Sequence, residues 1–265
     1  MSPYRDEART RPDVLVCAGL DPSGGAGLLA DARVIHELGA RPIGVVTTLT
    51  IQNTTGVIAA HAVDPEVVSH QLAFVMTDVE VHGVKIGMIG SGDVARALAS
   101  TLQLTRAPVV WDPVLSPSRG APPGDDGWFE EAVAALRPHL TLVTPNAGEL
   151  GRLVNMAVHT LDEAEVAGRA LAQQLDCAVL VKGGHLGGDE AIDVLLHAGG
   201  REELRLPRVP GGEHVHGTGC ALSSAIATNL ALGRELVEAC RLAKHFVAER
   251  IANPARPGRG APAIV

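Results

Sequence analysis

Apolar residues fall into short unbroken runs that alternate with longer stretches of helical period. Val14–Leu20, Ile43–Leu49, Val84–Ile86, Pro108–Trp111, Leu140–Val143 and Cys177–Val181 are apolar and of strand length. Runs lacking polar alternation are those of strands covered on both faces. Between them, helices are predicted at Leu28–Leu38 (closed by Gly39), from Asp64-Pro65-Glu66 to about Met76, and at 93–102, 128–137, Leu161–Leu175, 220–232 and 235–250. Asp64 suits the cap of its helix and Pro65 the first helical position. Val57–Ala62 predicts a short strand of its own, and Ala191–Leu196 with Glu203–Leu206 predicts a hairpin at one edge. Repeated strand–helix alternation specifies an α/β fold with a mainly parallel central sheet.

No Pro/Gly-rich linker divides two cores and no repeat is evident. The reading is therefore one domain over 13–252, with a loose leader (1–12) and a tail (253–265) that is partly ordered at best. The Pro-, Gly- and Ser-rich loop 113–127 lacks periodicity and predicts a rim or flap.

Composition narrows the classes. The chain is 46% hydrophobic and 20% charged, which excludes global disorder. Three Phe, two Trp and one Tyr are too few for a base-stacking surface, and a formal charge of −8 argues against a nucleic-acid partner. Cys17, Cys177, Cys220 and Cys240 are widely spaced, which fits neither a disulfide framework nor a zinc site and suits a reducing cytoplasm. The polar start of the chain is unlike a signal peptide, and no apolar run reaches membrane-spanning length.

In doubly covered parallel sheets, ligands sit beyond the carboxyl ends of the strands. Asp21, Gln52, Asp112, Asn146 and Lys182 all fall at such ends. His216-Gly217-Thr218-Gly219-Cys220 runs straight into a small, aliphatic helix start. The unpaired N–H groups there are an anion cradle, although a glycine loop before a helix also serves as a plain turn. Asp21-Pro22-Ser23-Gly24-Gly25-Ala26-Gly27 is neither a dinucleotide fingerprint nor a GxxxxGK[ST] loop, but it permits close backbone approach to a small ligand. Lys182, ending an apolar strand before two glycines, needs an anionic partner, and phosphate is a natural one. Asp112 and Glu149 are candidate Mg²⁺ ligands, direct or through water, and Asn146 is either an orienting group or a helix cap. Asp31 offers a hydrogen-bond acceptor to a ligand or is a solvated helix carboxylate. Gln52 suits reading a heterocycle edge, and Met88 suits a flat ring or the core. Cys220, at a helix start, is expected to have a depressed pKa, or else to be an inert small hydrophobe.

Taken together, Ala18–Gly27 with Ala30-Asp31, Gln52-Asn53-Thr54, Lys85-Ile86-Gly87-Met88, Asp112-Pro113-Val114, Thr144-Pro145-Asn146 with Glu149, Lys182-Gly183-Gly184-His185 and His216–Cys220 resemble the ribokinase-like superfamily. More specifically, they resemble its hydroxymethylpyrimidine/phosphomethylpyrimidine kinases of thiamine biosynthesis. The blocks keep the family's order over roughly residues 13–250.

The resemblance implies a three-layer α/β/α homodimer that uses ATP and Mg²⁺, with a monovalent cation as a further candidate. Its substrates would be 4-amino-5-hydroxymethyl-2-methylpyrimidine and the monophosphate of that alcohol. Asp31 and Gln52 would bind the aminopyrimidine, Met88 and Val114 would sandwich it, and Gly19 would line the pocket. Lys182 and Asn146 would serve the phosphates, and Gly217, Thr218 and Gly219 would form the anion hole. Cys220 would act at the hydroxymethyl oxygen, and Asp112 and Glu149 would organise Mg²⁺. Pyridoxal or pyridoxine kinase is the nearest rival reading, and a catalytically weak pyrimidine-binding regulator is the other. The sequence departs from the family at Arg119, where serine is usual, and at His214-Val215 and Ala221 beside the anion hole.

Overall fold

The computed structural model describes residues 11–115, 127–184 and 187–264. The expected leader (apart from its last two residues), the middle of the 113–127 loop with Arg119, and His185 lie outside them.

The chain runs β1 (Asp13–Leu20), α1 (Gly27–Glu37), β2 (Arg41–Asn53), β3 (Gly56–Ala62), α2 (Pro65–Met76), β4 (Val81–Ile86), α3 (Gly92–Leu102), β5 (Val109–Trp111), α4 (Trp128–Leu136), β6 (Leu142–Val143) and α5 (Ala147–Val154). It continues through α6 (Leu161–Leu175), β7 (Ala178–Val181), β8 (Glu190–His197), β9 (Gly200–Pro207), α7 (Thr218–Ala231) and α8 (Leu236–Ala252). The nine strands form one sheet in the order β3-β2-β1-β4-β5-β6-β7-β8-β9. The pairs from β2 through β1 and β4 to β7 are parallel, and the pairs β2–β3, β7–β8 and β8–β9 are antiparallel.

Alternation along β1 shows the three layers directly. Val14, Val16 and Ala18 join the core made with α1, α7 and α8. Leu15 and Cys17 join the opposite core, made with α2 to α6. Because both faces are covered, the strands have no polar side, as their composition requires. Strand order reverses between β1 and β4, so the switch point lies at their carboxyl ends.

Three elements differ from the sequence reading. The strand read as ending at Leu49 is longer: β2 continues to Asn53 and pairs antiparallel with β3, carrying Gln52 out beyond the parallel sheet. A helix, α5, follows Asn146. It has a full capping box, in which Asn146 Oδ1 accepts from Glu149 N at 2.9 Å and Glu149 Oε2 accepts from Asn146 N at 2.7 Å.

The tail is not loose over residues 253–264. Ala263 and Ile264 are buried, and Ala263 pairs with both His216 and Ala255. Its Pro and Gly content conceals two apolar residues that fill a gap beside α7.

Candidate active site

Two glycine turns close on each other at the switch point. Asp21 shapes the first: its Oδ1 accepts from Ser23 N at 2.8 Å and Ser23 Oγ at 2.7 Å, and its Oδ2 from Ala26 N at 3.1 Å. Gly217 begins the second, with φ +86°, and a Cβ there would lie 2.1 Å from the Gly25 carbonyl oxygen. Only glycine tolerates both the conformation and the contact. Thr218 then starts α7, and the N–H groups of its first turn have no acceptor within the helix.

Lys182 follows directly on β7, its N–H donating to Pro145 O at 2.9 Å. Its Nζ lies 2.7 Å from Asp112 Oδ1 and 3.5 Å from Glu149 Oε2. Burial by itself would lower this ammonium, but Asp112 and Glu149 raise it above the ordinary lysine value. Burial likewise raises the Glu149 carboxyl, against the pull of Lys182. A Cβ on Gly219 would sit 3.2 Å from Lys182 Nζ and 3.5 Å from Asp112 Oδ2, so the lysine and the open helix start face the same few ångströms.

One cavity of about 520 Å³ takes in these groups. Its lining includes Gly19, Gln52, Met88 and Val114, from the ends of β1, β2, β4 and β5, together with Asp112, Asn146, Glu149, Lys182 and Gly217–Cys220. Val209, Val215, Leu222, Val247 and Ile251 add apolar surface to the same lining, beside Arg208, Glu213, His214 and Lys244.

Two expectations are corrected. Asp31 is neither on this lining nor solvated. It is fully buried, with Oδ2 2.6 Å from Lys85 Nζ and Oδ1 accepting from Ser224 Oγ at 2.8 Å. Both oxygens are engaged in the interior. The Cys220 thiol is not depressed either. Burial pushes it up to about 11, and neither Lys85 nor the N–H of Gly27 offsets that. Desolvation of the charged form outweighs the helix start.

The sequence reading includes His216 in the glycine motif but gives it no role; its Nε2 lies 3.1 Å from Gln52 Nε2 and 3.5 Å from Asp21 Oδ2. The same reading missed the buried pair Asp193–Lys244 (2.7 Å), in which Asp193 Oδ1 receives Gly183 N at 2.9 Å and so holds the loop after Lys182. A buried lysine in α8 was the available signal for the second pair. His216 gave none, because its partner is 164 positions away.

The donor set bears on Mg²⁺. Asp112 and Glu149 are hard oxygen ligands, and with Lys182 they leave a net negative patch that a polyphosphate would need a cation to approach. Among the described residues no group of three or more His, Cys, Asp or Glu side chains could hold a metal. The fit is thus to a Mg²⁺ brought largely by phosphates and water, with two carboxylates near it.

An α/β/α sheet with an open helix start, a lysine and paired carboxylates beyond the carboxyl ends of its parallel strands defines a ribokinase-like small-molecule kinase. The chain belongs to the phosphomethylpyrimidine kinase family, whose model matches residues 21–264. It is 34% identical over 250 residues to the hydroxymethylpyrimidine/phosphomethylpyrimidine kinase of Aquifex aeolicus, covering 93% of this chain and 96% of that protein. It is 39% identical over 253 residues to the thiamine biosynthesis bifunctional protein ThiED of Geobacter sulfurreducens, covering 94% of this chain. The match spans only about half (51%) of that bifunctional protein. Among solved structures, an ADP complex of Bacillus subtilis pyridoxal kinase superposes with a TM-score of 0.83 at 28% identity, covering 96% of each chain.

Proposed function

We propose that this kinase transfers the γ-phosphoryl group of ATP to the hydroxymethyl oxygen of 4-amino-5-hydroxymethyl-2-methylpyrimidine. The resulting monophosphate is then phosphorylated to the diphosphate, as a step of thiamine biosynthesis in the cytoplasm. The observation that carries the reading is the shared cavity: Lys182 Nζ and the open first turn of α7 line it together with Gly19, Gln52, Met88 and Val114, which would form its ring arm.

Phosphoryl transfer asks for alignment and charge neutralisation more than covalent help. Met88 and Val114 would flank the ring, with Gly19 leaving room for it, since even a Cβ there would lie 3.6 Å from Met88 Sδ. The N–H groups of Thr218, Gly219 and Cys220 would receive the migrating phosphoryl oxygens, and Lys182 would follow the charge as it moves. Cys220, protonated at neutral pH, would position the alcohol, whose proton leaves late in a loose transition state. Asp112 and Glu149 would hold Mg²⁺ through water, and the ion would neutralise the phosphate charge.

ADP release measured separately with the alcohol and with its monophosphate tests the reading. Turnover of both supports it; turnover of pyridoxal alone replaces it with the rival that the Bacillus subtilis likeness favours. Tight pyrimidine binding without ADP release would instead mark a regulator. A homodimer belongs to the same proposal, because Leu49, Ile51, Ile58 and Phe74 remain exposed on β2, β3 and α2. Light scattering that gives a monomer at assay concentration would remove that part alone.

A further inference from the structure

Gln52 and His216 come from opposite ends of the chain, and the C-terminal segment fixes both. Gly260 N donates to Thr54 Oγ1 at 3.2 Å and Ala261 N to Thr54 O at 2.9 Å, two residues beyond Gln52. Next along the same segment, Pro262 O accepts from His216 N at 2.8 Å and Ile264 N donates to His216 O at 3.0 Å. Five consecutive residues thus tie the hairpin carrying the glutamine to the loop carrying the histidine.

The contact they produce is chemically one-sided. An amide NH₂ only donates, so the 3.1 Å contact is a hydrogen bond in the tautomer that carries its proton on His216 Nδ1 and a lone pair on Nε2. Asp21 Oδ2 stands farther from that ring nitrogen, at 3.5 Å, and already accepts from Ala26 N. With its nitrogen so engaged, Gln52 keeps its Oε1 without a protein partner among the described residues, on a side chain that lines the cavity. A carboxamide free to turn would offer either end to a ligand; this one is held with its acceptor spare.

We infer that His216, clamped by residues 260–264, is a positioning residue that orients the Gln52 amide so that the ring arm selects a heterocycle bearing an N–H donor over one presenting an acceptor there. This rests on the pyrimidine reading above and goes beyond it by assigning the origin of ring selectivity. An acceptor placed against Oε1 would leave two lone pairs facing each other in a partly desolvated site.

The test compares the 4-amino alcohol with its 4-oxo isostere, which replaces the amine by an acceptor at the same position. The wild type is expected to prefer the amine in kcat/KM by at least about tenfold. His216→Phe keeps a planar ring but removes the lone pair; it should reduce that ratio by about tenfold, mainly through the amine substrate. Gln52→Glu in the His216→Phe background has acceptors at both ends and should restore the preference.

A purely structural role would lower both substrates together and leave the ratio unmoved, and that result would overturn the inference. So would failure of the Gln52→Glu rescue in a variant whose thermal unfolding shows it to be folded. If the wild type turns over neither alcohol, calorimetric binding of the two isosteres replaces the rates. Selective binding of the amine would then sustain the inference while the kinase assignment falls, and equal binding would end both.

Discussion

Lys85 Nζ lies 2.6 Å from Asp31 Oδ2 with both side chains fully buried, which makes an ion pair between β4 and α1 at the cavity, whose lining includes Lys85. Ser224, one turn beyond Cys220 on α7, completes it by donating to the other Asp31 oxygen. The pair thus joins three elements that converge on the anion cradle. Burial by itself would lower the Lys85 ammonium, but Asp31 and the nearby Cys220 and Asp112 raise it above its ordinary value. Removing one partner strands a buried charge, so Asp31→Leu or Lys85→Met should each cost about 3–5 kcal/mol in denaturant unfolding. The double variant should recover most of that loss, because an apolar pair strands nothing. Simple additivity of the two losses would show that the pair is not coupled.

Gly219 is where the helix start and Lys182 come closest. A methyl group at 219 would press on Nζ at 3.2 Å without meeting backbone or disturbing a positive φ. The lysine has to yield a few tenths of an ångström, and alignment at that scale governs phosphoryl transfer. Gly219→Ala should lower kcat on the order of 10- to 100-fold while the melting temperature moves by less than about 3 °C. Unchanged kcat would place the transferred group away from this turn.

How far the sequence exposes this site depends on the range of the contacts. The parallel strands and their exits are legible, because a strand buried on both faces has to be apolar throughout, and Lys182 stands out at the end of one. The open start of α7 is legible from the glycines around Thr218. Asp31 is not: one helical turn past Gly27 it looks like a surface carboxylate until Lys85 and Ser224 arrive from 54 and 193 positions away. The Cys220 thiol misleads for a related reason, since the helix start is local and visible whereas the desolvation comes from the whole fold. The tail's composition suggested disorder, yet two buried apolar residues and a few backbone hydrogen bonds are enough to hold it.

The thiols make the fold less stable as pH rises on the alkaline side. Burial pushes Cys17, Cys177 and Cys240 up to about 12 and Cys220 up to about 11, from 9.0. Between these values the folded chain keeps protons that the unfolded chain has lost, so stability falls as pH rises from about 9 through 11. Native protein should therefore react slowly with iodoacetamide at pH 8 and much faster in denaturant. Cys220, which lines the cavity, should be the first alkylated as the pH approaches 11. Rapid labelling of Cys220 at pH 7 would mean that a thiolate exists after all. In turnover, Cys220→Ala should reduce kcat by at least tenfold, with KM changing less than about threefold. Wild-type kcat would take the thiol out of the reaction.

Ending the chain at Ala261 separates the tail's local role from its contribution to stability. The cut removes Ala263 and Ile264, which are 2% and 1% exposed, together with both backbone hydrogen bonds that hold His216. Loss of a buried aliphatic side chain should lower stability by about 2–4 kcal/mol. The Gly260 and Ala261 contacts to Thr54 survive, so the hairpin keeps its anchor while the His216 loop loses its own. Lys182, Asp112 and the glycine contact between the two turns are untouched by the cut. The truncated protein should therefore show a KM for the pyrimidine alcohol raised by about tenfold or more, a KM for ATP changed much less, and a kcat within about threefold of the full chain. An equal rise in both KM values would mean that the tail supports the whole cavity and not its ring arm. An unchanged KM for the alcohol, in a protein whose stability has dropped as expected, would show that the His216 backbone needs no clamp.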